Sequence, residues 1–419
     1  MPIFSLAVKS LLNRKLTATL TVLSIALSVL LLVGVERLRT EVRASFANTI
    51  SGTDLVVGAR SGAIPLLLYS VFRIGNATNN ISWKSYQAIA RDPSIQWTIP
   101  LSLGDSHQGY RVLGTNQDYF QYYRFAHNRQ LEFAEGQAFS DIYDAVLGAD
   151  VAANLGYKLG QTLVLAHGTG TVSLQLHADK PFRVVGILKR TGTPVDRTLH
   201  VSLEGIEAIH VDWQSGAPIP GLSISAEQAR QLDLKPKTLT AFLVGLQSKI
   251  STFHVQRLIN EYPEEPLLAI LPGVALQELW ELMSVAERVL LAVSTLVLLV
   301  GLTGMLTVLL TSLNERRREM AILRSVGARP IHIFALILGE AGCLTLLGSV
   351  LGLVLLYALL VLARPLLESQ FGLFIPIDRP STHELTLLGV VLSAGLLIGM
   401  VPSYRAYRYS LADGMTIRI

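Results

Sequence analysis

Apolar residues are bunched along this chain into four long runs separated by polar ground. The first, Thr17 to Val35, holds no charge between Lys15 and Glu36, and about 19 helical residues at about 1.5 Å each just cross a hydrocarbon layer of about 30 Å. The second runs from Val289 to Leu313, the third from about Ile331 to Ala363 and the fourth from about Leu385 to Tyr404. Four spans are therefore expected, at 17–35, 289–313, 331–363 and 385–404. Lys9, Arg14 and Lys15 before the first run have the look of a signal-peptide n-region. The run nevertheless exceeds the usual apolar core of about 7 to 15 residues, and no A-x-A-like site follows it, so a retained anchor is expected.

Between the first two runs lies a long polar segment, 36–288. At its start Leu38, Val42, Phe46 and Ile50 recur every four residues, a helical stripe continuing out of the first span. At its end Leu276, Leu279, Met283, Ala286 and Leu290 alternate by three and four, a short heptad seam leading into the second span. Both spans are read as extending outward into stalks. The competing reading, separate domain helices on flexible links, calls for Gly, Ser or Pro at the junctions, and neither junction is rich in them. Between the stalks, "PFRVVGIL" and "LTAFLVGLQ" read as strands, "DAVLGADVAANLGYKLGQTLVL" as strand, short helix, glycine turn and strand, and "TFHVQRLINEY" as a helix with Val255, Leu258 and Ile259 on one face. "DWQSGAPIPGLSIS" reads as a loop or subdomain boundary. The segment is long enough for a core of its own, so a large α+β domain, in two subdomains, is expected.

Composition agrees with the runs. Of 419 residues 50% are hydrophobic and 16% charged, a membrane protein's profile. The Lys and Arg of short flanks then set orientation. Lys9, Arg14 and Lys15, then Arg316, Arg317, Arg318, Arg324 and Arg329, then Arg405, Arg408 and Arg418 all belong on the cytoplasmic side. The link 364–384, with Arg364, Glu368, Asp378 and Arg379, has no positive excess and is assigned outside, as is 36–288. Arg37, Arg39 and Arg43 run against this rule, diluted by Glu36 and Glu41. The resulting plan has a cytoplasmic elbow at 1–16, a cytoplasmic tail at 405–419 and both termini inside the bacterial cytoplasmic membrane.

The loop 314–330 is unusually charged for a connection between two apolar runs. Glu315 to Arg324 lacks Gly and Pro, Ser312 and Glu315 have the spacing of a capping box, Gly327 can end a helix and Pro330 cannot continue it. A short helix against the inner membrane face is expected. Glu315 is placed to pair with Arg318, and Met320 with Leu323 forms an apolar edge. A bare positive anchor needs only two or three basic residues; acids and an apolar edge interleaved with the arginines suit docking to a protein.

At these residues the chain resembles the FtsX-like permeases, which include the MacB-type and Lol-type ABC transporter subunits. "NERRREMAILRSVGARPIHIF" is similar to their coupling helix after the second span, "GEAGCLTLLGSVLG" to their third span, "VPSYRAYRYSLADGM" to their closing segment and "LAVKSLLNRKLTATLTVLSIALSV" to their elbow and first span. "AVLGADVAANLGYKLGQTL" and "FRVVGILKRTGTPVDRTLHVSLEGI" resemble the MacB-like periplasmic core domain. The resemblance implies a permease that docks on a separate cytoplasmic ABC ATPase dimer, which binds ATP and Mg, and that passes its stroke to the periplasmic domain. Docking would fall to Glu315, Arg316, Arg317, Arg318, Glu319, Met320, Leu323 and Arg324, with Gly327 setting the turn. A second permease copy, identical or related, a periplasmic adaptor or substrate-binding protein, and membrane lipids are the implied partners; nucleic acid is not among them.

The residues themselves agree that hydrolysis is not expected of this chain, since no G-x-x-x-x-G-K-[ST] phosphate cradle occurs in it. Within the membrane, Glu340 is the most expensive residue, read as a polar contact at a helix or subunit interface or else as a protonated carboxylate near the boundary. Gly348 with Gly352, and Gly395 with Gly399, form G-x-x-x-G pairs that permit close helix approach. No catalytic motif is legible: "HEL" at His383 lacks a second histidine, and Cys343 is the single cysteine. His107, His127, His167, His177, His200, His210 and His254 fall in the outer segment at scattered spacings, read as ordinary histidines with no metal site, a metal-linked substrate being the residual alternative. Two functions remain open: an export or extraction permease, and an FtsX-like regulator that activates a periplasmic enzyme. The large outer domain favours the first.

Overall fold

In lipid a helix is the one open structure that satisfies every backbone donor within its own segment, and the computed structural model holds, among its described residues, four helices long and apolar enough to cross a membrane. It describes residues 14–168, 175–214, 217–218, 224–371 and 378–408. Most of the expected elbow and tail, part of the link 364–384 and part of "DWQSGAPIPGLSIS" lie outside the described residues. The long helices are α1 (Lys15–Thr49), α2 (Pro272–Glu315), α4 (Pro330–Phe371) and α5 (Thr382–Arg408), with the short α3 (Arg317–Ser325) between α2 and α4. Each expected stalk and its span form one unbroken helix. Helix α4 runs past Ala363 to Phe371.

The chain divides into two compact units: the described residues of Met1–Glu41, Ser284–Leu366 and Ile375–Ile419, and those of Val42–Met283 with Leu367–Phe374. In the helical unit, Ile25, Val29, Leu32 and Val33 of α1 and Leu298, Leu302, Met305 and Leu309 of α2 meet Ala341, Leu344 and Leu356 of α4 and Val391 of α5 in one buried cluster. The three-and-four spacing puts each set on one stripe of its helix. The heptad seam is not buried within the chain along its whole length. Leu276 packs against the α+β core, whereas Met283, Ala286 and Leu290 are exposed.

The α+β unit is built on a 12-stranded mixed sheet. Its strands are β1 (Leu55–Ala59), β2 (Ile95–His107), β3 (Tyr110–Thr115), β4 (Phe133–Gly136), β5 (Asp144–Leu147), β6 (Phe182–Leu188), β7 (Thr198–Ser202), β8 (Ala241–Leu246) and β9 (Leu267–Ile270). They lie in the order β9-β1-β8-β2-β3-β7-β5-β6-β4, and the short segments Thr162–Leu163, Ala166–His167 and Gln175–Leu176 pair off this path. Pairs β3–β7 and β5–β6 are parallel. Strands β1, β5, β7 and β8 are buried along their whole length; β1 and β8 accordingly read as continuous apolar runs, whereas β7 alternates and buries Thr198, His200 and Ser202 as well.

The 13-residue β2 belongs to both halves of the sheet. Its first part, Ile95 to Leu101, pairs with β8, and its second, Ser102 to His107, pairs with β3. One core packs Tyr86, Ile89, Val255 and Ile259 against β8 and β9, and another packs Val151, Ala208 and Ile209 against β5 to β7. The expected strand, helix, glycine turn and strand are found at β5, Ala149–Leu155, Gly156 with a positive φ of 71°, and Thr162–Leu163.

Candidate functional site

Helix α3 has two unlike faces. Arg316, Met320 and Leu323, at i, i+4 and i+7, point inward. Met320 joins Leu313 of α2, Ile333 and Ile337 of α4 and Ala406 of α5 in a small core, and Leu323 is half-buried. Arg318, Ile322, Ser325 and Val326 lie on the other side, all exposed, with Ile322 62% and Val326 84% exposed despite being apolar. Arg317 and Glu319 are also exposed, and Arg324 is half-buried.

The expected capping box is absent. Helix α2 continues through Ser312, whose hydroxyl bonds the Leu309 carbonyl at 2.9 Å, and the residue capping α3 is Arg316. Glu315 reaches Arg14 at 2.8 Å, so the pairing expected with Arg318 gives way to a link to the start of α1. The end of α3 follows expectation in its chemistry: Gly327 takes φ 104°, its N–H meets the Arg324 carbonyl at 3.1 Å and the Ala328 N–H meets the Leu323 carbonyl at 3.0 Å. This is a Schellman ending, and its left-handed residue is cheapest as glycine.

Arg316 departs most from the sequence reading. Its side chain is 8% exposed, too buried to dock on anything, and its Nη1 donates to Glu340 Oε1 at 2.8 Å and Oε2 at 3.1 Å. Its Nε donates to Glu319 at 2.9 Å. Glu340, 3% exposed, makes a polar contact between helices within the chain, with Arg316 as its partner. The pair ties the junction of α2 and α3 to α4. Sequence reading missed a second buried pair, Arg37 with Glu384 at 3.2 Å. Arg39, another of the arginines that run against the positive-inside count, sits against Glu36 at 2.6 Å and Glu287 at 3.6 Å.

The four glycines sit at helix crossings. A Cβ on Gly348 would stand 2.6 Å from Ile25 Cγ2, and one on Gly352 2.6 Å from the Ala26 carbonyl oxygen, both on α1. On Gly395 it would stand 2.3 Å from Thr345 Oγ1 and on Gly399 2.5 Å from Ala341 Cβ, both on α4.

Folding brings three of the histidines that are scattered in sequence, His167, His177 and His210, together with Asp105. Burial pushes the His177 imidazole down to about 4. Burial pushes the Asp105 carboxyl up, but hydrogen bonds from His167 and His210 outweigh it and hold it at about 2. His200 is apart from this group, wholly buried beside Tyr119 and Phe120, and burial pushes it down to about 3.

Two family models match this architecture: the MacB-like periplasmic core domain over residues 18–259 and the FtsX-like permease C-terminal domain over 291–411. The chain belongs to the FtsX-like ABC transporter permeases that carry a MacB-like periplasmic core domain. It is similar to the uncharacterized ABC transporter permease MJ1507 of Methanocaldococcus jannaschii, 24% identical over 63% of this chain and 59% of that one. It is also similar to the macrolide export ATP-binding/permease protein MacB of Photorhabdus laumondii, 23% identical over 96% of this chain and 59% of that one. The chain thus spans little more than half the length of these relatives. The crystal structure of the periplasmic region of MacB from Actinobacillus actinomycetemcomitans aligns with 55% of this chain and 94% of its own, at 11% identity and a TM-score of 0.33.

Proposed function

We propose that this permease takes up the stroke of a separate cytoplasmic ABC ATPase dimer through α3 and passes it to a periplasmic α+β domain that exports or extracts an envelope substrate. In this reading α3 and both termini face the cytoplasm, a second permease copy completes the transporter, and ATP and Mg are bound by the ATPase. A periplasmic adaptor or substrate-binding protein is a further partner. The observation that carries the reading is the two-faced α3. Its outward stripe offers Arg318 with exposed Ile322 and Val326, while its inward stripe is fastened to the membrane helices by Met320 and by the Arg316–Glu340 pair. A push on the outer stripe therefore loads α4 directly. Export is preferred to regulation because MacB of Photorhabdus laumondii is described as a macrolide exporter and shares both domains' span of this chain.

The test is the double variant Ile322→Asp, Val326→Asp. It should insert and melt like the parent yet lose copurification with the ATPase and the stimulated hydrolysis. Unchanged hydrolysis would overturn the docking role.

A further inference from the structure

Asp105 lies where β2 bulges. The register against β3 jumps between Leu103 and Ser106, and such a bulge re-aims the side chains it carries. On the other edge of β2, His167 pairs directly opposite Asp105. The segment Gln175–Leu176 pairs back on Ala166–His167 and delivers His177 as its next residue. His210 is the last residue of the helix Leu203–His210. Residues 62 and 43 positions apart in sequence thus converge, and the Trp213 ring covers all three imidazoles at centroid distances of 4.5, 5.2 and 5.4 Å.

His167 Nδ1 stands 3.1 Å from Asp105 Oδ1 and 3.1 Å from His210 Nε2, and His210 Nε2 stands 3.5 Å from Asp105 Oδ1. All four donor atoms, including one from His177, lie within 4.8 Å of one another. Tetrahedral zinc with bonds of about 2.0–2.1 Å holds its donors about 3.3 Å apart. The first three donors already have that spacing.

His210 Nδ1 lies 2.9 Å from the Ile206 carbonyl, which takes a ring proton and aims Nε2 at the cluster, the way metal-bound imidazoles are commonly held. His177, 1% exposed, keeps its Nε2 without a hydrogen-bond partner among the described residues. A buried ring nitrogen without a partner is costly, and a cation at the centre would supply the partner that His177 lacks.

We propose that Asp105, His167, His177 and His210 form a binding site for a borderline divalent cation, with Zn2+ the best fit. Three imidazoles and a carboxylate suit zinc, whereas magnesium and calcium take oxygen shells. Four protein donors close the coordination sphere, the pattern of a structural site rather than of one that activates water. The ion would pin the Ala166–His167 and Gln175–Leu176 pair and the end of helix Leu203–His210 to the bulge of β2.

The test uses the full chain in detergent, with any affinity tag cleaved and metal removed by chelator. Titration should find one Zn2+ per chain, Co2+ should give the intense visible bands of a tetrahedral site, and Zn2+ should raise the melting temperature progressively with its concentration. His177→Ala and His210→Ala should each weaken binding by about 100-fold or more, while His254→Ala, on another helix, should bind as the parent does. Circular dichroism in chelator checks that the variants fold; if one does not, the Co2+ spectrum of the parent protein decides. Zinc well below one per chain, an octahedral Co2+ spectrum, or parent-like binding by a folded His177→Ala would overturn the proposal.

Discussion

Arg37 Nη1 lies 3.2 Å from Glu384 Oε1 and 2.8 Å from the Tyr357 hydroxyl, with the two charged side chains only 4% and 5% exposed. Glu384 is held in turn by Ser381, whose hydroxyl accepts from the Glu384 N–H at 3.2 Å while the Ser381 N–H donates to the carboxylate at 3.2 Å, a capping box at the start of α5. Removing one member strands a buried charge. Arg37→Leu or Glu384→Gln should each destabilise the helical unit by about 3–5 kcal/mol. The exchange Arg37→Glu with Glu384→Arg should recover part of that. Thermal unfolding in detergent reads both, and additive losses in the exchange would contradict the pairing.

The two faces of α3 predict opposite phenotypes. Met320→Ala opens a void in the small core and should cost about 2–5 kcal/mol of stability. Ile322→Ala touches an exposed position and should stay within about 0.5 kcal/mol. Comparing melting with ATPase stimulation across the pair separates fastening from docking, and equal melting losses would contradict the assignment of faces.

Glycine substitutions should sort by what stands in front of them. Gly395→Ala drives a methyl toward Thr345 Oγ1, and Gly348→Ala drives one into Ile25; each should cost about 1–3 kcal/mol by overpacking. Gly389, on the same helix as Gly395, has nothing within 4 Å of an added Cβ. There alanine should be neutral or stabilising by up to about 1 kcal/mol through helix propensity. Melting curves of the three variants, read side by side, decide this.

The α+β domain should lose stability in mild acid. Burial holds His200 down at about 3, below its unfolded value of about 6.5. The folded state thus resists a proton that the unfolded state accepts, so the contribution is full above about pH 6.5 and drains away as pH falls toward 3, by a few kcal/mol at most. His200→Phe should flatten that part of the profile. Denaturant melts between pH 7 and 4.5, run with chelator so that no metal at Asp105 contributes, would show whether the slope survives the substitution.

The sequence announces the spans, because uninterrupted apolar runs of this length have few other uses, and it announces α3 through its charge and its Gly327 ending. It does not announce partners across the fold. The Ser312 to Glu315 spacing suggested a cap, but a helix already formed through α2 overrides a local capping signal, so the break falls at Arg316. Arg316 itself reads as one more surface arginine until Glu340, 24 residues on, is placed beside it. The histidines were illegible for a related reason. Their convergence depends on a bulge at Asp105 and on which strands pair, and neither leaves a mark in residue spacing.

Strand β2 has one more consequence. Because a single backbone supplies hydrogen bonds to β8 along its first stretch and to β3 along its second, unravelling that strand from one neighbour loosens the template the other is built on. The two lobes of the α+β domain therefore share one strand, and they should come apart together in a single cooperative step, not as independently melting modules.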